Sequence, residues 1–260
     1  MLWPAGGARA GSGGGGSGAH WSYEGAEGPA NWGSLGYPLC ASGKNQSPID
    51  IGGNAAATDL DEIQFKYAPA PIQVKNNGHT IQFDYPPGSF ITVGAQRFEL
   101  VQFHFHTPSE NTIQGKSYPM EVHLVHKNAE GGLAVVGVMM QTGQVEAAHG
   151  GHGAEGGGLE TIFGALPAAA NLTLTSERAI DAGRLLPHDT GYYHWMGSLT
   201  TPPCSEGVRW FLMKEPITIA PAQLTRFQTI FANNARPVQP LNSRNLFIKA
   251  RSGGGAGAGH

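Results

Sequence analysis

Apolar and polar residues alternate with a period of two over much of residues 70–141, the spacing that sends successive side chains to opposite faces of a β-strand. By alternation, or by β-branched and aromatic content, strands are predicted at 72–74, 79–85, 90–93, 98–106, 120–126 and 133–141. Asn76-Asn77-Gly78 and Pro86-Pro87-Gly88 punctuate them as turns. The run 133–140 is apolar on both faces, which predicts a central strand. Helical periodicity is scarce. The best helix is 221–233, opened by Pro221 at a position suited to a first turn. A shorter one is predicted at 159–166. The chain therefore reads as mainly β (α+β).

Composition sets the outer limits. Residues 1–19 and 252–260 consist mostly of Gly, Ala and Ser, too little apolar surface to repay their ordering entropy, so both are expected to be disordered. Residues 20–251 carry no long linker and are expected to form one domain. The glycine-rich stretch 147–158 reads as a surface loop whose His149 and His152 are solvated. A net charge of −3 and 13% charged residues leave no basic face for nucleic acid or anionic lipid. No stretch approaches the roughly 18 apolar residues of a membrane span. Met1-Leu2-Trp3-Pro4 is too short for a signal-peptide core, although Ala8-Arg9-Ala10 resembles a cleavage site, and a truncated signal or added residues would each account for it. Cys40 and Cys204 are either two buried thiols or one disulfide. The lack of a spare cysteine and a secreted-type composition favour the bridge.

The chemistry is concentrated in two of the predicted strands. In Gln102-Phe103-His104-Phe105-His106 the glutamine and both histidines share one face, and in Glu121-Val122-His123-Leu124-Val125 the glutamate and histidine do the same. If these strands are antiparallel neighbours, three imidazoles converge. Three neutral imidazoles with an open fourth position are the ligand set of a catalytic zinc site. A lone strand histidine is ordinarily a core or surface residue. Burying several without partners costs about 1–3 kcal/mol each, so the cluster points to metal. Gln102 and Glu121 are placed to take the outward N–H of His104 and His123. His104-x-His106-x-x-x-Glu110 also has cupin spacing, but the glycines of that motif are replaced by Phe98 and Ser117.

These residues lie within a run, Ser109-Glu110-Asn111-x-Ile113-x-x-x-x-Tyr118-x-x-Glu121-Val122-His123-Leu124-Val125, that resembles the α-class carbonic anhydrases. So do His20-Trp21-x-Tyr23-Glu24-Gly25, Gln46-Ser47-Pro48-Ile49-Asp50, Asn76-Asn77-Gly78-His79, Gly197 to Cys204, and Arg236-Pro237-x-Gln239-Pro240-Leu241. The pair Cys40/Cys204 and Thr107-Pro108 resemble the bacterial branch, which implies a disulfide and a periplasmic or secreted protein. The resemblance implies a single domain built on a large, mostly antiparallel twisted sheet with short surface helices. It also implies one Zn²⁺ on His104, His106 and His123, and reversible hydration of CO₂ to bicarbonate and a proton. Glu110 and Thr200 are then expected to orient the nucleophile, with Gln102, Glu121 and a carbonyl near Asn234 supporting the ligands. An apolar wall of Val125, Val135, Leu199, Val208 and Trp210 would take CO₂, and Thr201 would contact bicarbonate. Tyr23, Asn77 and Gln82 would order water leading to His79 as proton acceptor, its ring exposed by the Asn76–Gly78 turn. Sulfonamides and simple anions would inhibit, and a homodimer is compatible with the family. The rival readings are a zinc-free binding module of the same fold, and a zinc esterase; the His-Glu-x-x-His of common zinc peptidases is absent.

Overall fold

The computed structural model describes residues 19–144 and 158–249. Of the ends expected to be disordered, 1–19 and 252–260, all but Ala19 lie outside the described residues, as do the cleavage-like Ala8-Arg9-Ala10 and the loop residues His149 and His152; the Ala19 N–H donates to the Leu35 carbonyl at 2.9 Å. Short strands β1 (Asp50–Ile51), β2 (Ala56–Ala57) and β3 (Ile63–Lys66) come first. They are followed by β4 (Ala70–Asn76), β5 (Ile81–Asp84), β6 (Phe90–Val93), β7 (Gln96–His106), β8 (Thr112–Ile113), β9 (Met120–Lys127) and β10 (Leu133–Thr142). The chain ends with β11 (Thr173–Ile180), β12 (Tyr192–Ser198), β13 (Glu206–Met213), β14 (Ile217–Ile219) and β15 (Phe247–Lys249). The helices are α1 (Leu39–Ser42), α2 (Leu159–Gly164) and α3 (Pro221–Gln228).

Among the described residues 13 strands form one sheet, in the order β11-β4-β5-β7-β9-β10-β13-β12-β15-β2, with β14 beside β10 and β6 joining β3 to β7. Pairing is mostly antiparallel; β10 with β13 and β14, and β15 with β2, run parallel. β10 is central, as its two-sided apolar run predicts, and Ala134 through Met140 are buried. One face packs Phe83, Phe103, Phe105, Val122 and Val136 against Phe163 of α2 and Phe227 of α3. Each such side chain stabilises the fold by roughly 1.5–3 kcal/mol through burial. The opposite face packs Val135, Val208 and Trp210 with Trp195 and Leu212. His104 and His106 of β7 and His123 of β9 lie on this second face, so the alternation that fills one core aims the chemistry at the other.

All six predicted strands form, 90–93 at its predicted bounds and the other five with shifted ends. The strand expected from His79 starts at Ile81, because Asn77 Oδ1 accepts the His79 and Thr80 N–H groups and keeps both residues in the turn. The helix expected to reach 233 stops at Gln228, since the Asn234 N–H is drawn to the Thr107 carbonyl at 3.0 Å, beyond the end of β7. The helix expected over 159–166 ends at Gly164, just before Pro167. Strand β11 was not legible from the pattern because it is a polar edge strand, exposed over most of its length. Cys40 and Cys204 form the disulfide, across 164 positions. No helix among the described residues is long and apolar enough to cross a membrane.

Candidate metal centre and cleft

Strands β7 and β9 are antiparallel neighbours, and their register sets His104 directly opposite His123 and His106 opposite Glu121. A bulge between Leu100 and Gln102 adjusts β7 just before the histidines. One nitrogen from each of His104, His106 and His123 lies within 4.8 Å of the others. The second nitrogen of each ring is occupied. His104 Nδ1 meets Gln102 Oε1 at 2.8 Å, His106 Nδ1 meets the Asn234 carbonyl at 2.8 Å, and His123 Nε2 meets Glu121 Oε1 at 2.9 Å. Each of these acceptors requires an N–H, which leaves the lone pair on the nitrogen facing the cluster. His106 Nε2 is buried without a hydrogen-bond partner. Burial lowers the pKa of all three rings, well below the usual range for His104 and His123, so they are neutral near pH 7. Neutral converging imidazoles and an orphaned buried nitrogen fit a three-histidine zinc site.

Glu121 gathers four N–H groups: its Oε2 accepts from the backbone of Glu110 and Asn111, and its Oε1 from Asn111 Nδ2 and His123. Burial pushes its carboxyl up to about 7 while the Asn111 bonds pull it down. Gly137 lies across from His123 on β10, and a Cβ there would come within 3.1 Å of Glu121 Oε1 and 3.0 Å of Leu212. Absence of a side chain at 137 therefore makes room for the carboxylate.

Glu110 is also fully buried. Its Oε1 accepts the Arg236 backbone N–H at 2.8 Å. Thr200 lies near enough to favour the ionised carboxylate, although Oε2 closes no hydrogen bond of ordinary geometry. Burial pushes Glu110 up to about 8, with the Arg236 and Thr200 contacts opposing it. A dication among the histidines acts in the same direction as those contacts, toward the ionised form. Arg236 anchors this corner: its guanidinium donates to Gln46 Oε1, the Ser47 carbonyl and the Cys40 carbonyl, and lies over Trp32.

Of the expected apolar wall, the structure shows one buried cluster that meets the histidines through Trp210. Val135, Val208 and Trp210 are buried, Val125 and Leu199 pack against them, and the Trp210 ring stands edge-on 4.9 Å from that of His123. A cavity of about 120 Å³ is lined by His104, His106, Thr201, Gln82, Asn77, Tyr23 and His79, among others. Tyr23 Oη is buried without a partner, and its pKa is raised well above the usual tyrosine range by burial and by Glu110. The turn exposes Gly78 rather than the ring of His79. That ring is half-buried, stacked on Trp21 at 3.6 Å, and its pKa is lowered by burial and by nearby His20.

A profile of eukaryotic-type carbonic anhydrase matches residues 27–250. The chain belongs to the α-class carbonic anhydrase family. A carbonic anhydrase of Klebsiella pneumoniae is 45% identical over 231 residues, covering 87% of this chain and 89% of that protein. The structure of the Thermovibrio ammonificans α-carbonic anhydrase with the inhibitor sulfanilamide superposes with a TM-score of 0.82 at 41% identity, covering 89% of this chain and 100% of that one. A hyperthermostable carbonic anhydrase from a hydrothermal vent chimney gives 0.81 at 44% identity, with the same coverage. This carbonic anhydrase is a zinc-dependent lyase that hydrates CO₂ reversibly, with the histidine triad as its single zinc site. The cupin alternative falls with the fold, because the histidines sit on a large open sheet and Glu110 faces Arg236 instead of joining the three nitrogens. The histidines and their three supports are legible in the sequence, whereas the parts played by Asn111, Arg236 and Trp21 are not. All three lie inside the quoted family runs, and nothing in period or spacing says what they touch.

Proposed function

We propose the following division of labour among the residues of this carbonic anhydrase. His104, His106 and His123 hold zinc, oriented by Gln102, the Asn234 carbonyl and Glu121. Zinc bound to three neutral imidazoles lowers the pKa of a water molecule to about 7, a value established for carbonic anhydrases as a class, and so supplies hydroxide at neutral pH. The remaining chemistry belongs to the chain. An ionised Glu110 can only accept, so the single hydroxyl proton of Thr200 is directed to it. The lone pairs of Thr200 then accept the proton of the attacking oxygen, whose own lone pair faces the cleft. CO₂ has no net dipole and is matched by the apolar wall of Val125, Val135, Leu199, Val208 and Trp210. Thr201, which lines the cavity, contacts bicarbonate. Tyr23, Asn77 and Gln82 order the water through which His79 receives the proton.

The observation that carries this reading is the convergence of three ring nitrogens within 4.8 Å while the other nitrogen of each ring is committed elsewhere. Metal analysis and stopped-flow CO₂ hydration test it. The parent is expected to carry one zinc per chain, and His123→Ala to lose both zinc and activity. A His123→Ala protein with undiminished zinc would refute the ligand set. A zinc-bearing parent that cleaves activated esters without hydrating CO₂ would favour the esterase reading. By analogy with the Thermovibrio enzyme, which is inhibited by sulfanilamide, primary sulfonamides inhibit this one; small anions, as ligands for an open fourth position, are expected to do the same. The disulfide supports a periplasmic or secreted location, where such bonds persist.

A further inference from the structure

The cavity beside the histidines is underpinned by an ion pair that takes no part in the roles above. Gln82 and Asp84 lie two residues apart on β5 and so share a face. Lys75, the cross-strand partner of Gln82 on β4, reaches both oxygens of Asp84, at 2.8 and 3.1 Å. The Gln82 side-chain amide donates to Asp84 Oδ1. On the other side of β5, Gln82 is paired with His104 and Asp84 with Gln102, so this ladder of polar residues continues into the metal site.

The chemistry of the donors fixes which way Gln82 faces. A carboxylate accepts and does not donate, so the end of the Gln82 amide turned to Asp84 must be its NH₂. The amide oxygen is then the group left for the cavity. Gln102 is set the opposite way. Its Oε1 is taken by the N–H of His104, which leaves its NH₂. Both glutamines line the cavity between His104 and His79. Without the carboxylate, Gln82 could flip and present a second donor there.

We propose that Asp84, bridged by Lys75, is a positioning residue that fixes the hydrogen-bonding polarity of the cleft, holding Gln82 as an acceptor beside Gln102 as a donor. A water in contact with both is thereby given one orientation, which suits proton passage toward His79. The proposal rests on the role of Gln82 in the water path. Lys75 and Asp84 are each about a third exposed, at 36% and 31%, so the pair adds little to stability and melting serves as a control for folding.

The experiment compares Asp84→Asn, Asp84→Glu and Gln82→Ala, alone and as Asp84→Asn/Gln82→Ala, in the zinc-loaded enzyme. An asparagine side chain donates as well as accepts, so Asp84→Asn releases Gln82 from its single orientation. Asp84→Asn is expected to lower kcat in dilute buffer by roughly two- to twelve-fold, the effect of one hydrogen bond of ordinary net strength. Its kcat/KM for CO₂ should match the parent. Asp84→Glu, which remains acceptor-only, should keep the parental rate. In the Gln82→Ala background Asp84→Asn should have no further effect. The Gln82 side-chain amide signals in ¹H–¹⁵N spectra should move in Asp84→Asn and hold in Asp84→Glu. Unmoved signals in Asp84→Asn, or an equal slowing whether or not Gln82 is present, would overturn the proposal. If Gln82→Ala alone leaves kcat in dilute buffer unchanged, the water-path role of Gln82 fails instead, and the amide signals then decide whether Asp84 holds it.

Discussion

Glu121→Gln is nearly isosteric, yet the hydrogen-bond inventory predicts a large effect. The carboxylate serves four N–H groups, two on each oxygen. Glutamine keeps one oxygen and turns the other into a donor, so two of the four lose their acceptor whichever way the amide is placed. If the NH₂ faces the backbone N–H groups of Glu110 and Asn111, two fixed and buried donors are orphaned. At about 1–3 kcal/mol each, that is a loss of roughly 2–6 kcal/mol, a large share of a typical domain's roughly 5–15 kcal/mol. If it faces the other way, His123 can relieve its own clash only by moving its proton to Nδ1, which removes the lone pair a metal needs. Asn111 cannot follow by flipping, because its Oδ1 already accepts the Ile49 N–H at 3.0 Å. The variant must therefore lose stability or zinc. Denaturant unfolding of the metal-free protein reads the first, and chelator competition reads the second, where a drop of about 10–100-fold is expected. A Glu121→Gln protein within about 1 kcal/mol of the parent, with parental zinc affinity, would refute the reasoning.

Three further outcomes are expected. His126 is buried with Nε2 on the Tyr67 hydroxyl at 2.7 Å, and burial lowers its pKa to about 3. Below the unfolded value of about 6.5 the unfolded chain takes up a proton that the folded one refuses, so stability present above pH 6.5 is lost at about 1.4 kcal/mol per pH unit, roughly 5 kcal/mol by pH 3. Denaturant midpoints across that range should fall less steeply in His126→Gln, and equal slopes would exclude His126 as the cause. Reducing the Cys40–Cys204 bridge, whose ends are 164 positions apart, should lower stability by at most roughly 5 kcal/mol in the chain-entropy estimate, seen as a lower melting temperature; two titratable thiols in denatured, unreduced protein would refute the bridge. His79→Ala should slow turnover in dilute buffer, leave kcat/KM for CO₂ nearly intact, and be rescued by imidazole. Because burial and His20 lower the His79 pKa, the acid limb of kcat should lie below 6.5 and move up in Trp21→Ala, which uncovers the ring.

Much of this enzyme is local and was legible in the chain. A period of two decides which side chains share a face, so Gln102, His104 and His106, or Glu121, His123 and Val125, had to point together once their strands formed. The two-sided apolar run of β10 required a central place in the sheet. The bridge between Cys40 and Cys204 needed only the count of cysteines and the composition to be favoured. Edges and ends escaped, because a polar edge strand such as β11 buries little of itself, and the stop of α3 is set by a bond from Asn234 to distant Thr107.

What only the tertiary structure decided is which distant groups meet. Alternation cannot say that His104 faces His123 across the ladder, since register depends on the bulge and the pairing of β7 with β9. Nor can it say that Arg236 supplies the N–H that Glu110 accepts, or that Trp21 covers half of His79. The physical reason is the range of the forces. Side-chain direction along a strand follows from the covalent geometry of neighbours, whereas desolvation, hydrogen-bond saturation and tautomer choice are set by whatever the folded chain brings within about 3 Å. The types of ligand were written in the chain; their neutral state, free lone pairs and mutual distance come from packing.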